Sequence, residues 1–264
     1  MKHELILALA QCAHPKNGDV LGQVEHWMRR ARERHADMVV FPECLMTPYE
    51  LPADEFATSA QPLDGAFARA VDTFAHKLGL WVIYTVNEKN PHGAKPFNTA
   101  IITDSSGTQR GFYRKVHLFD VGDYRESDKM SAGDAIFEPV ETPFGKIGLG
   151  ICYDLRFPEL ARAQALQGCD VLVYPSAWVA GERKVEQWRT LLAARAIENE
   201  LFVAGCTRTG GKYAGYSAVF GAKGEVLASA EDDEALLIAH IDTAVCLDAR
   251  AQVPVFEHRE PDVY

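Results

Sequence analysis

The sequence predicts an α/β protein made of two sheets covered by outer helices. Two observations carry that expectation. Apolar runs of strand length alternate with segments whose apolar residues recur at helical spacing, and the second half of the chain repeats the pattern of the first. Because no linker or low-complexity stretch separates the halves, residues 1–264 read as one domain with two similar halves.

Taken in order, residues 5–10 form a first apolar strand. Val20, Leu21, Val24, Trp27, Met28 and Ala31 then mark one face of a helix that Asp19 can cap. Residues 38–41 give a buried strand. Phe67, Ala70, Val71, Phe74 and Leu78 give a second helix closed by Gly79, and 81–86 follow as a strand. Residues 98–103 and 110–113, joined by Ser105-Ser106-Gly107, predict a hairpin. In the second half, 147–151 is a strand, 158–166 a helix ended by Gly168, and 171–174 a strand. A longer helix spans about 186–198, with strands at 201–206, 217–220 and 236–241. The last 20 or so residues, a tail from about 245, lack periodicity and are expected to run over the surface.

Composition excludes several classes. The chain is 47% hydrophobic and 24% charged, with a formal net charge of −10 and no Lys/Arg run, so nothing suits a nucleic-acid backbone. The N-terminal apolar run is too short for a signal peptide and carries Glu4. No stretch reaches the roughly 18 apolar residues of a membrane span, so no membrane association is expected and the chain reads as cytoplasmic. None of the nine histidines falls in a metal-ligand pattern such as H-E-x-x-H, and no metal or organic cofactor is expected. The six cysteines are scattered without a C-x-x-C pair and read as free thiols, most of them small core residues.

Three stretches carry chemistry. In Val39-Val40-Phe41-Pro42-Glu43 an apolar strand stops at proline and a carboxylate, at the strand end where α/β proteins open their crevice. A solvated loop glutamate is the competing reading. In Tyr113-Arg114-Lys115-Val116-His117-Leu118-Phe119, alternation puts Lys115, His117 and Phe119 on one face; Lys115 is either a fixed charge beside a reacting carbonyl or an exposed edge-strand lysine. In Gly148-Leu149-Gly150-Ile151-Cys152-Tyr153-Asp154-Leu155-Arg156-Phe157-Pro158-Glu159, a glycine-rich strand meets a cysteine and proline then opens a helix. Such a strand–turn–helix junction can present a nucleophile, with helix-start amides lowering the thiol pKa and Asp154 pairing with Arg156 to brace the turn. A buried structural cysteine competes with this reading. A dinucleotide fingerprint is weak, since the third glycine is missing and bulky Tyr153 follows.

These stretches, in this order, resemble the three motifs of the nitrilase superfamily of carbon–nitrogen hydrolases. Tyr174-Pro175-Ser176-Ala177, Ala194-Arg195-Ala196-Ile197-Glu198-Asn199 and Pro254-Val255-Phe256-Glu257-His258-Arg259 extend the resemblance over almost the whole chain. The resemblance implies an αββα sandwich that forms homodimers or larger homo-oligomers. It implies Cys152 as nucleophile, Glu43 as general base and acid, and Lys115 as stabiliser of the tetrahedral intermediate. Glu126 would support the substrate amide or the Lys115 ammonium, and the backbone N–H of Tyr153 would complete the oxyanion hole. The implied substrate is a small molecule, and the flanks are most similar to the omega-amidase and deaminated-glutathione-amidase branch. Trp178 is expected to wall the pocket. Gly181-Glu182-Arg183-Lys184 departs from the stretch found there in those amidases; Arg183 or Lys184 could meet a substrate carboxylate, but the charges read first as a solvated cluster. Nitrile and N-carbamoyl hydrolysis are the alternatives on the same scaffold. A noncatalytic binding module and a thiol-redox protein are the alternatives of other classes.

Overall fold

The computed structural model describes residues 3–263. The first half runs β1 (Glu4–Gln11), α1 (Val20–Glu33), β2 (Met38–Val40), α2 (Ala53–Thr58), α3 (Ala66–Leu78), β3 (Trp81–Glu88), β4 (Phe97–Thr103) and β5 (Gln109–Arg114). A small hairpin, β6 (Asp120–Val121) and β7 (Tyr124–Arg125), leads to β8 (Val140–Thr142) and β9 (Gly145–Leu149). Then come α4 (Pro158–Leu166), β10 (Val171–Ser176), α5 (Lys184–Asn199), β11 (Phe202–Thr207), β12 (Ala218–Phe220), β13 (Val226–Ser229), β14 (Ala235–Asp242) and α6 (Ala244–Gln252).

Two six-stranded mixed sheets result. The first has the order β14-β1-β2-β3-β4-β5 and the second β13-β12-β11-β10-β9-β8. In each, three central strands are parallel: β1, β2 and β3 in the first, β9, β10 and β11 in the second. Antiparallel strands flank them on both sides. Strand alternation sorts the core into layers. Leu5, Leu7 and Leu9 of β1 join the cluster that holds Ile147, Leu149, Val171 and Val173 of the other sheet, while Ala8 and Ala10 face Val24, Trp27 and Met28 of α1 and Val71 of α3. Trp188 and Leu192 of α5 cover the second sheet, close enough that a Cβ at Gly205 would lie 2.4 Å from the Trp188 ring. The layers are therefore helix, sheet, sheet, helix, the αββα sandwich.

Local signals place the ends as expected. Asp19 accepts from the Gly22 N–H at 2.9 Å, and Gly79 ends α3 in the left-handed region. The tail differs. Residues 244–252 form a helix that buries Cys246 and Ala249, and Phe256 then lies under the Arg162 and Arg250 guanidiniums instead of projecting freely. Tyr264, counted with the tail, lies outside the described residues.

Candidate active site

The parallel strands of both sheets end at one pocket, lined by Glu43, Glu126, Cys152, Tyr153, Arg156, Trp178 and Lys184 among others. From the first sheet comes the loop after β2. Phe41 still pairs with Ile83, and Pro42 stops the ladder and leaves Glu43 buried. One Glu43 oxygen accepts from Asn98 at 2.7 Å and from the Lys115 ammonium at 2.8 Å; the other accepts from the Ala177 N–H at 2.8 Å. Neither the solvated-glutamate reading nor the exposed-lysine reading survives, since both side chains are buried.

β5 ends at Arg114, so the strand alternation expected through residue 119 does not hold. Arg114 turns to the Glu88 carboxylate, and Lys115 turns inward. Its ammonium is shared between Glu43 and both oxygens of Glu126, at 2.9 and 2.8 Å. Burial alone would lower the lysine pKa, but the Glu126 and Glu43 carboxylates outweigh it and hold the group well above its ordinary value. Glu126 opens a short 3₁₀ turn and also accepts from the Phe119 N–H at 2.7 Å. Burial, with Glu43 nearby, raises its pKa against the pull of Lys115.

The second sheet supplies Cys152. The end of β9 and the residue after it are glycine-rich because of packing: a Cβ at Gly148 would lie 2.5 Å from the Gln164 side chain, and one at Gly150 2.5 Å from the Tyr174 ring. No dinucleotide cradle is needed to explain these glycines. Cys152 has φ +46°, a left-handed conformation that costs a residue with a Cβ about 1–2 kcal/mol, and begins a 3₁₀ turn that hands over to α4 at Pro158. The expected Asp154–Arg156 brace is not formed. Asp154 is fully buried and accepts four hydrogen bonds instead, from Ile151 N–H (2.8 Å), Tyr113 O–H (2.9 Å), His117 N–H (3.1 Å) and the His117 ring at 2.7 Å. The aspartate thus ties the segment carrying Lys115 to the turn carrying Cys152. Arg156 donates to Gln187 and lies 5.0 Å from the Trp178 ring.

The thiol is not activated at rest. Burial raises the Cys152 pKa well above the ordinary cysteine value, Glu43 adds to the rise, and Lys115 opposes it incompletely. The expectation that helix-start amides lower it is therefore not met.

Trp178 lines the pocket, its Nε1 donating to the Lys184 carbonyl at 2.9 Å. The charge cluster splits. Arg183 pairs with Glu186 at the surface, but Lys184 turns into the pocket, 5.3 Å from the Trp178 ring and 5.5 Å from that of Phe119. Burial first, then the Arg156 charge, lowers its pKa. Among the described residues, neither Arg156 nor Lys184 has a carboxylate partner. The sequence offers Lys184 as one of two candidates for a substrate carboxylate, but offers Arg156 only as a partner of Asp154, because its approach to Trp178 is a contact between residues distant in the chain.

Residues 6–251 match the family described as carbon-nitrogen hydrolase. The chain is 34% identical over 244 residues to the deaminated glutathione amidase of Escherichia coli O157:H7, covering 92% of this chain and 91% of that protein. It is 34% identical over 248 residues to the human omega-amidase NIT2, covering 90% and 88%. The crystal structure of Saccharomyces cerevisiae Nit3, described as a member of branch 10 of the nitrilase superfamily, superposes with a TM-score of 0.87 at 29% identity, over 98% of this chain and 97% of that one. With fold, strand-end pocket and sequence agreeing over nearly its full length, the chain belongs to the carbon–nitrogen hydrolase family of the nitrilase superfamily and is an enzyme of that class.

Proposed function

We propose that this enzyme hydrolyses a small aliphatic carboxamide to its acid and ammonia through a thioester on Cys152. The observation that carries the reading is the Lys115 ammonium held between two carboxylates beside a thiol that burial keeps protonated. A resting thiol needs a base at the moment of attack; Glu43 and Glu126 both line its pocket, and Glu43 is the carboxylate that acts on it more strongly.

Cys152 Sγ attacks the amide carbon while Glu43 accepts the thiol proton. The carbonyl oxygen becomes an oxyanion against the Lys115 ammonium, which turns one of its three carboxylate-bound N–H groups to it, and the Tyr153 N–H, donors worth several kcal/mol together. Glu43 then protonates the nitrogen, the C–N bond breaks and ammonia leaves. Water, deprotonated by Glu43, attacks the thioester; the acid departs and the proton returns to the thiol. Glu126 keeps the Lys115 ammonium aimed at the pocket throughout. The chemistry closes with amide and water consumed, acid and ammonia produced, and no cofactor engaged.

Arg156 and Lys184 on the Trp178 wall, without a carboxylate partner among the described residues, support a substrate that carries its own carboxylate, such as the monoamide of a short dicarboxylic acid. The names of the omega-amidase and deaminated glutathione amidase relatives agree with an amide substrate. The test is kcat/KM for matched amide, nitrile and N-carbamoyl compounds of one acyl chain, with ammonia release read directly. Faster turnover of the amide is expected. A nitrile or N-carbamoyl preference would replace the substrate class, and no turnover of any of them would favour a noncatalytic module. Exposed Leu166, Ile197, Leu247 and Val253 on the α4–α5–α6 side support self-association, at least to a dimer, which light scattering on a chain truncated after residue 252 tests by a drop in mass.

A further inference from the structure

Arg208, the first residue after β11, is fully buried, yet among the described residues it has no carboxylate partner. Its Nε donates to the Glu43 carbonyl at 2.8 Å and its Nη2 to the Cys44 carbonyl at 2.6 Å; Nη1 is buried without a partner. Between those two carbonyls lies Cys44, whose φ of +55° is left-handed. One guanidinium therefore spans a strained residue in the loop that carries Glu43. The Glu50 and Glu234 carboxylates act on the neighbouring His14 and Cys12, as Arg208 does, but neither pairs with the guanidinium among the described residues; the His14 ring is held neutral, its pKa pushed down to about 3 by burial and then by the Arg208 charge, against the pull of Glu50.

Burying a guanidinium is costly, and filling the same space with a methionine would not be. What the guanidinium adds is a link between the sheets. β11 is bonded to β10 and β10 to β9, the strand that leads to Cys152. Glu43 follows a strand of the other sheet but is itself bonded to this one at three points: by Arg208, by its N–H to the Ser176 carbonyl (3.3 Å), and by Ala177 N–H to its carboxylate (2.8 Å). Of the three, Arg208 alone takes two carbonyls and brackets the strained residue.

We propose that Arg208 is a positioning residue, a clamp from the second sheet that holds the Glu43–Cys44 backbone in its left-handed turn and so fixes where the Glu43 carboxylate meets the Cys152 thiol. The proposal rests on the assignment of Glu43 as base. It makes Arg208 matter to proton transfer and not to substrate capture, because the residue does not line the pocket.

Arg208→Lys keeps the charge and can serve one carbonyl; Arg208→Met keeps neither. In the full-length protein, the lysine variant should lose roughly 10- to 100-fold in kcat with KM changed less than about threefold, since small misplacement of a reacting group costs on that order. The rate at which neutral iodoacetamide alkylates Cys152 at pH 7 should fall in parallel, because it also needs the base. The double variant Glu43→Gln/Arg208→Lys should be no slower than Glu43→Gln alone, the two acting through one proton transfer. Should the methionine variant fail to fold, the lysine variant carries the test. Near-normal kcat and alkylation in a folded variant, a loss confined to KM, or additive losses in the double variant would each overturn the clamp. Full activity in Glu43→Gln alone would instead overturn the base assignment.

Discussion

At the end of the first sheet, the loops after β2 and β5 and the turn after β7 bring charge: two carboxylates and one ammonium, all buried, both carboxylates bonded to the ammonium before any substrate arrives. At the end of the second, the turn after β9 brings a neutral thiol on a strained backbone, held by an aspartate that spends four hydrogen bonds on it and on the Lys115 segment. The first half is preorganised electrostatically and the second conformationally. On the proposed mechanism, neither half reacts by itself. A thiol whose pKa is raised by burial needs the carboxylate opposite, and a carboxylate already bonded to a lysine gives up little until a proton is offered.

The largest expected effect comes from deleting the reacting atoms. Cys152→Ala should abolish turnover, a loss of roughly 10⁴-fold or more, with the melting temperature nearly unchanged. Brief exposure to substrate should leave an acyl adduct on Cys152 detectable by mass spectrometry, and Glu43→Gln should slow both its formation and its hydrolysis. An adduct on another cysteine would move the nucleophile. The resting thiol can be checked separately. Because burial and then Glu43 favour the protonated form, the thiolate absorbance that distinguishes wild type from Cys152→Ala should emerge only above pH 9.

Next in size is Lys115→Met, which tests the charged half as a unit. It removes the oxyanion's cation, so kcat should fall about 10²- to 10³-fold while KM changes little. It also leaves Glu43 and Glu126 buried without their counter-ion, and loss of one partner from such a network costs about 3–5 kcal/mol. The pH dependence has a definite sign. Glu126 already has a raised folded-state pKa, and removing the lysine raises it further, so the variant gains relative stability as pH falls toward the ordinary carboxylate range and loses it as pH rises. Melting curves at pH 5 and pH 8 should show a smaller deficit at pH 5. In wild type, the raised Lys115 pKa keeps that pairing intact below about 10.5, with loss only as pH climbs through the higher folded value.

Asp154→Asn breaks the conformational half without touching the reacting atoms. Asparagine offers one carbonyl oxygen where the carboxylate has two, so some of the donors at Ile151, Tyr113 and His117 lose their acceptor, at a cost of about 1–3 kcal/mol in stability. A drop of roughly tenfold in kcat, seen with unchanged KM, would show that the aspartate sets the Cys152 turn. Equal losses in stability and activity under all conditions would reduce it to a scaffold residue.

These residues also mark what the sequence could reveal. Buried parallel strands announce themselves as continuous apolar runs, and a strand that stops at proline and a carboxylate, or at a cysteine before a proline, marks its own exit. Glu43, Cys152 and the sandwich were legible for that reason. Lys115 was legible as a residue type, but the strand ending one residue before it was not, because the Arg114–Glu88 pair that ends the alternation is a contact across sequence. Asp154 was misread for the same cause: Arg156 is close in the chain, whereas Tyr113 and His117 are close in space. The exposed strand Val226–Ser229, the six-residue Ala53–Thr58 and the helix Ala244–Gln252 bury too few side chains to leave a period.

The smallest effect tests the reading of the pocket wall, where the two halves meet around Trp178. If Arg156 and Lys184 receive a substrate carboxylate, each should favour an amide that carries one over a neutral amide of equal length. Arg156 is the stronger partner, since a guanidinium can bind a carboxylate through two hydrogen bonds, and Arg156→Gln should cut that preference about tenfold. Lys184 is only partly buried, so its ion pair is screened; Lys184→Met should cost roughly three- to fivefold, in KM more than in kcat. Its pKa is lowered by burial and by Arg156, so the ammonium loses its proton at a pH below the ordinary lysine value of 10.5. The wild-type preference for the anionic amide should therefore weaken on the alkaline side before pH 10.5 is reached, and that part of the weakening should be absent from Lys184→Met. A preference that survives both substitutions would place the carboxylate elsewhere in the pocket and leave the Cys152 chemistry untouched.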